Sequence, residues 1–83
     1  TGAFMNRTLD QLKDGEWARV EAVLTQGRIR RRLVEMGITP GAGIRLIRRA
    51  PLGDPMEIEL RGYRLTIRRK AARGIRMTGG GGP

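Results

Sequence analysis

Residues 28–44, RIRRRLVEMGITPGAGI, constrain this chain most, because they read as a short amphipathic helix, a glycine stop, a proline–glycine turn and the launch of a strand. Ile29, Leu33 and Met36 are spaced i, i+4, i+7 and fall on one helical stripe, while Arg28, Arg31, Arg32 and Glu35 fall mostly on the opposite side. Gly37 stands where the helix must end in a left-handed residue, a conformation that costs only glycine no Cβ clash. Pro40 sets φ for a turn, and Gly41 supplies the positive φ that a type II turn requires next. The helix has about three turns at most, too few to be stable alone, so the rest of the chain must give it a platform.

That platform reads as β. Thr8 is placed to cap a short turn that carries Leu9 and Leu12 to one end of a core, and Asp14-Gly15 marks the turn before a strand from about Glu16. Alternation then sets Ala18, Val20, Ala22 and Leu24 on one face and Arg19, Glu21 and Val23 on the other, with Trp17 expected as a lid over the core. Beyond the Pro40-Gly41 turn, Ile44 and Leu46 share an inner face, opposite Arg45, Ile47 and Arg49. The loop APLGDP, residues 50–55, has a proline near each end to bracket the strands, since proline cannot donate to a ladder.

Register can be derived for the next pair. If Arg61-Gly62 is a two-residue hairpin loop, Leu60 meets Tyr63, Ile58 meets Leu65 and Met56 meets Ile67, all on one face, and Glu59 meets Arg64 on the other. A slip of one residue would set apolar against charged at every step. Lys70 to Arg73 read as one turn of helix stopped by Gly74, and Ile75 and Met77 as a last short strand. The sum is a mainly β domain: about five short strands closing as a small barrel, which leaves few open edges, with one short helix inserted after the first strand. Domain limits are expected at residues 7–78, with a disordered leader over 1–6, in which Met5 could be a native start, and a glycine tail over 79–83.

Chemistry is sparse. There is no histidine and no cysteine, which removes the usual general base, the commonest metal ligand, thiolate sites and disulfides together. Asp54 is one carboxylate beside a proline and reads as a loop cap, not a cation site; Glu57 and Glu59 alternate outward on a strand and read as solvated partners of nearby arginines. No glycine motif is placed to cradle a phosphate. No enzyme activity, catalytic residue, metal site or cofactor is therefore expected. No apolar run is long enough to span a bilayer, so a soluble, cytoplasmic protein is expected.

Binding remains. The net charge is +9, and fifteen of the seventeen cations are arginine, the side chain suited to bidentate contact with carboxylate or phosphate. Arg28, Arg31 and Arg32 form a solvent-facing ridge, with Arg30 near its edge, and Pro51, Leu52, Gly53 and Asp54 form an exposed loop tip whose leucine no core requires; these are the partner-contact candidates. An anionic membrane surface and nucleic acid are the other anionic partners to weigh. Three aromatic residues leave base stacking almost no platform, which makes nucleic acid the weaker alternative.

Residues 30–75 resemble the FeoA family, the small cytoplasmic partner of the bacterial ferrous-iron transporter FeoB. The motifs that carry the resemblance are R-L-x-x-M-G-[IL]-x-P-G at residues 32–41, the APLGDP loop, and R-G-Y-x-L-x-[IL]-R at residues 61–68, in family-like order; it extends back through Leu9, Leu12 and Gly15. The resemblance implies an SH3-like β-barrel with a helix after the first strand. It also implies a function by contact with the cytoplasmic part of FeoB, near its G-protein domain, in support of iron uptake. On the matching positions it makes Leu33, Gly37, Pro40, Gly41 and Gly62 structural and residues 51–55 an exposed loop, with no catalytic residue to transfer. The same barrel serves iron-dependent repressors as a C-terminal domain; with no helix-turn-helix segment before it, this chain is not expected to be one. The charge of +9 is high for such a module and keeps nucleic acid as the alternative reading.

Overall fold

The hairpin forms in the register its side chains require. In the computed structural model, which describes residues 7–79, strands β4 (Met56–Leu60) and β5 (Tyr63–Ile67) pair Leu60 with Tyr63, Ile58 with Leu65 and Met56 with Ile67. Arg61 and Gly62 both have positive φ, 53° and 84°, the pattern of a type I′ turn, whose twist matches that of the strands it joins. Glu59 lies opposite Arg64 as expected, but its carboxylate goes to Arg45 on the neighbouring strand at 2.8 Å, while Arg64 approaches Glu57 at 3.9 Å.

The other elements follow in chain order. A two-residue strand β1 (Arg7–Thr8) leads into a 3-10 turn (Leu9–Gln11), and β2 (Trp17–Val23) precedes helix α1 (Gly27–Glu35). β3 (Gly43–Arg49) comes before the hairpin, and a four-residue helix α2 (Arg69–Ala72) and β6 (Ile75–Thr78) after it. The strands form one antiparallel sheet in the order β1-β6-β2-β3-β4-β5. There are thus six strands where about five were expected: β1 was not anticipated, and it pairs with β6 through Arg7–Met77 and Thr8–Arg76. The main helix therefore follows the second strand. One sheet with one apolar face can shelter that face only by curling on itself, and Ile44, Leu46, Ile58, Leu60, Ile75 and Met77 meet in a single core closed by Leu9 and Leu12 from the turn and Leu33 from α1. The expected leader, and the tail apart from Gly79, lie outside the described residues.

Two β-bulges shift the alternation. Glu21 is the extra residue between the Val20–Met77 and Ala22–Arg76 pairs, so beyond it Val23 packs on the core and Leu24, expected inside, is 52% exposed. Ile47 is the extra residue between the Leu46–Ile58 and Arg48–Glu57 pairs, which places Arg49, expected outside, opposite buried Met56. The Arg49 guanidinium then donates to the carbonyls of Asp10 and Leu12 at 2.6 and 2.7 Å, tying the 3-10 turn to β3. Trp17 is also corrected. It lies on the face opposite Ala18 and Val20, half-buried beneath the Arg45 guanidinium, which is 5.8 Å from the ring centroid, and it does not cover the core.

Helix α1 ends as its sequence demands. Gly37 has φ 96°, the Ile38 N–H donates to Leu33 O at 3.0 Å and the Gly37 N–H to Val34 O at 2.9 Å, the paired bonds of a Schellman cap, with Ile38 fully buried behind them. Gly41, at φ 92°, completes the turn over residues 39–42, which the Ala42 N–H closes on Thr39 O at 3.0 Å.

Candidate docking surface

Apart from Arg19, which donates to Gly41 O at 2.9 Å, the arginines divide into two groups. Arg7, Arg45, Arg48, Arg49, Arg64, Arg73 and Arg76 each face a carboxylate of the barrel. The Arg7–Glu16 pair is the tightest: the Arg7 guanidinium and the Lys13 backbone N–H both donate to Glu16 and hold its carboxyl below the usual range, against a smaller opposing effect of burial. Arg28, Arg30, Arg31 and Arg32 of α1, with Arg61, Arg68 and Arg69, face no carboxylate among the described residues. The four helix arginines are all exposed, as expected for a ridge. Only Arg32 lies in the last turn, where a cation complements the helix dipole; Arg28 opposes it in a first turn that holds no acidic residue. The helix dipole therefore does not account for this charge.

The apolar stripe of α1 is only partly covered. Leu33 is buried, Met36 is half-buried, and Ile29, expected to face the core with them, is 45% exposed. These three line an open groove of about 580 Å³ together with Thr66, Ile67, Arg68, Lys70 and Ala71, and Arg32 and Asp54 also contribute to it. Tyr63 anchors the helix beside it by donating its hydroxyl to Met36 O at 2.6 Å.

Of the contact candidates, the structure brings Arg32 and Asp54 to this groove. Asp54 accepts the Arg69 N–H at 2.9 Å and so caps the start of α2; the sequence pointed to a cap, but not to its target. Pro51 opens onto a separate depression with Arg48, Arg49, Pro55 and Glu57. Leu52, 94% exposed, and Gly53 occupy the loop tip, while Arg28 and Arg31 lie on α1 outside the groove lining. Sequence reasoning missed Ile29, Met36, Arg68 and Lys70 as surface residues of interest. The only available signal was that a half-turn of cations, RRK at residues 68–70, follows the strand directly. No three carboxylates gather at one point among the described residues.

A FeoA domain model matches residues 7–78. The chain belongs to the FeoA family. Its solved relatives include the FeoA protein of Chlorobium tepidum, 42% identical with a TM-score of 0.82 over 87% of this chain and 69% of that one. Another is Stenotrophomonas maltophilia FeoA, solved with zinc and described as an SH3 domain protein and a candidate ferrous iron transport activating factor. It is 28% identical with a TM-score of 0.76, over 86% of this chain and 88% of that one. A fusion of Fe(2+) transport protein A with the Fe(2+) transporter FeoB from Porphyromonas gingivalis is 33% identical over 69 residues, 83% of this chain but 8% of the fusion. The six-stranded sheet described above is thus the SH3-like barrel of the FeoA family. No helix among the described residues is long and apolar enough to cross a membrane.

Proposed function

We propose that this FeoA-family chain is a cytoplasmic, non-catalytic accessory of ferrous-iron uptake, acting by contact with the cytoplasmic G-protein part of a FeoB-type transporter. The observation that carries the reading is the fusion relative, in which a homologous FeoA segment shares one polypeptide with FeoB and is thereby held at high effective concentration beside it. The surface supports a contact role. The cations of α1 face no carboxylate among the described residues, and Leu52 projects from a loop whose backbone is closed on itself by Ala50 N–H to Pro55 O at 2.9 Å and Gly53 N–H to Ala50 O at 2.7 Å. Arg28, Arg31, Arg32 and residues 51–54 are the proposed contacts. Nucleic acid fits less well, because the chain has three aromatic residues and Trp17 is half-buried beneath the Arg45 guanidinium, which leaves little platform for stacking on bases. An anionic membrane contact through the arginine ridge would be a secondary support beside such a partner.

The experiment is a titration against the isolated cytoplasmic domain of a FeoB-type transporter, run beside a mixed oligonucleotide pool at two salt concentrations. Binding to the protein domain that persists at moderate salt is the expected result. Salt-sensitive binding to the oligonucleotides alone would sink the proposal.

A further inference from the structure

We infer that the groove between α1 and the β5–α2 junction is the seat for a short acidic, amphipathic protein segment. The inference rests on the accessory-by-contact reading and adds the chemistry of the segment that makes the contact. Three observations carry it. The floor is apolar, with Ile29 45% exposed on a helix whose exposed positions are otherwise mostly arginine. Met36 and Ala71 continue the floor, and methionine adapts readily to differing apolar side chains. The lining is also basic: it includes Arg32 from α1 with Arg68 and Lys70, and none of the three has a carboxylate partner among the described residues. The one acidic side chain of the lining, Asp54, already accepts the Arg69 N–H.

An occupant must match both features. Apolar side chains along one edge would enter the floor, and carboxylates on either side would meet guanidinium groups in paired hydrogen bonds. No aromatic side chain lines the groove, so a nucleic-acid strand would gain phosphate contacts but no stacking. A bilayer surface is poorly matched to a concave site between two helices, because interfacial binding buries a convex apolar face. A protein segment satisfies the apolar and the basic parts of the lining together.

The test follows the backbone amide resonances of the whole chain with three probes. These are a pool of dodecapeptides with Leu or Ile at every third or fourth position and Glu between, the same pool with Lys in place of Glu, and the transporter cytoplasmic domain. The expected result is that the Glu pool shifts resonances of α1 and residues 66–71 while the Lys pool does not. Ile29→Asp and Arg68→Glu, both at exposed positions, should each weaken that binding by at least about tenfold with an unchanged spectrum in the free state. Absence of shifts with the Glu pool at millimolar concentration, or equal shifts with both pools, overturns the groove assignment. Transporter-domain shifts confined to residues 51–53 also overturn it, while leaving the accessory reading intact. Groove binding by the Glu pool without any binding of the transporter domain keeps the groove and removes the proposed partner.

Discussion

Gly37 is the position where the fold's dependence on one backbone conformation can be measured directly. At φ 96° it carries both bonds of the α1 cap into Ile38, which is fully buried. A Cβ built there would meet the Leu60 Cδ2 at 3.5 Å and the Tyr63 hydroxyl at 3.6 Å, ordinary contact distances. Space is therefore available for a methyl group, and the cost of Gly37→Ala is the cost of the left-handed conformation itself, about 1–2 kcal/mol. Asparagine enters that region more readily, so Gly37→Asn should cost less. Valine is the worst case, because its branched Cβ strains the backbone further and its γ-carbons must push between Leu60 and Tyr63; Gly37→Val should cost about 2–3 kcal/mol. Urea unfolding followed by circular dichroism would give the three values, and for a domain of this size the melting midpoint should fall by roughly 4–8 °C per kcal/mol. The argument depends on rank order: Asn, then Ala, then Val. Valine matching wild type would show that the cap does not hold the helix. Asparagine proving worst would show that steric overlap, not backbone strain, sets the cost. Gly74 provides the contrast, since its backbone is ordinary but an added Cβ would run into the Thr25 hydroxyl, so Gly74→Ala should be partly rescued by Thr25→Ala.

Three further outcomes are expected. The Glu16 carboxyl is depressed in the folded chain, so its contribution to stability is complete above the ordinary glutamate pKa near ~4.3 and is lost as pH falls through the lowered value; Arg7→Met should flatten that acid limb in urea midpoints taken from neutral to low pH, and an unchanged limb would mean the pair is not formed in solution. Tyr63→Phe removes the donor to Met36 O, and because Tyr63 is 45% exposed water can replace it, so the loss should be about 0.5–1.5 kcal/mol with faster amide exchange concentrated at the end of α1. Leu52→Asp at a 94% exposed tip should change stability by less than about 0.5 kcal/mol while weakening binding to the transporter domain; a melted domain would place the tip in the core.

The parts of the fold legible in the sequence were those fixed by local chemistry. Gly37 and Gly41 stand where a positive φ is needed, Pro40 fixes φ, and the Arg61-Gly62 hairpin leaves one register that keeps apolar facing apolar, so these positions could be read residue by residue. The bulges could not, because Glu21 and Ile47 are ordinary strand residues and nothing local marks them as the extra member of a pair. Each bulge then reverses the face of everything beyond it, which is why Leu24 emerges and Arg49 turns in. β1 was invisible for a related reason: two residues have no periodicity, and only the arrival of β6 alongside makes them a strand. For the docking surface, the exposed loop tip and the arginine ridge were readable as surface. The groove was not, since helical periodicity marks Ile29 as apolar-faced without saying whether the platform reaches far enough to cover it.

Ile29 is where stability and contact can be separated. A half-exposed isoleucine in a nine-residue helix is a poor choice for stability alone: its branched Cβ costs helix propensity relative to arginine or alanine, and its burial returns only part of the roughly 1.5–3 kcal/mol that full burial would give. Single exposed apolar side chains are common enough that exposure by itself argues nothing. Here, however, the residue lines one groove with Ile67, Ala71 and cations that no carboxylate of the described chain neutralises. If Ile29 serves only the fold, replacing it with a polar helix former lowers stability and leaves every binding partner unaffected. If it also serves contact, the same replacement lowers affinity as well, beyond the modest stability loss from its partial burial, which the small gain in propensity only partly offsets. The half-covered helix is then a surface left open by the barrel, and the residues that leave it open are the ones that a partner would complete.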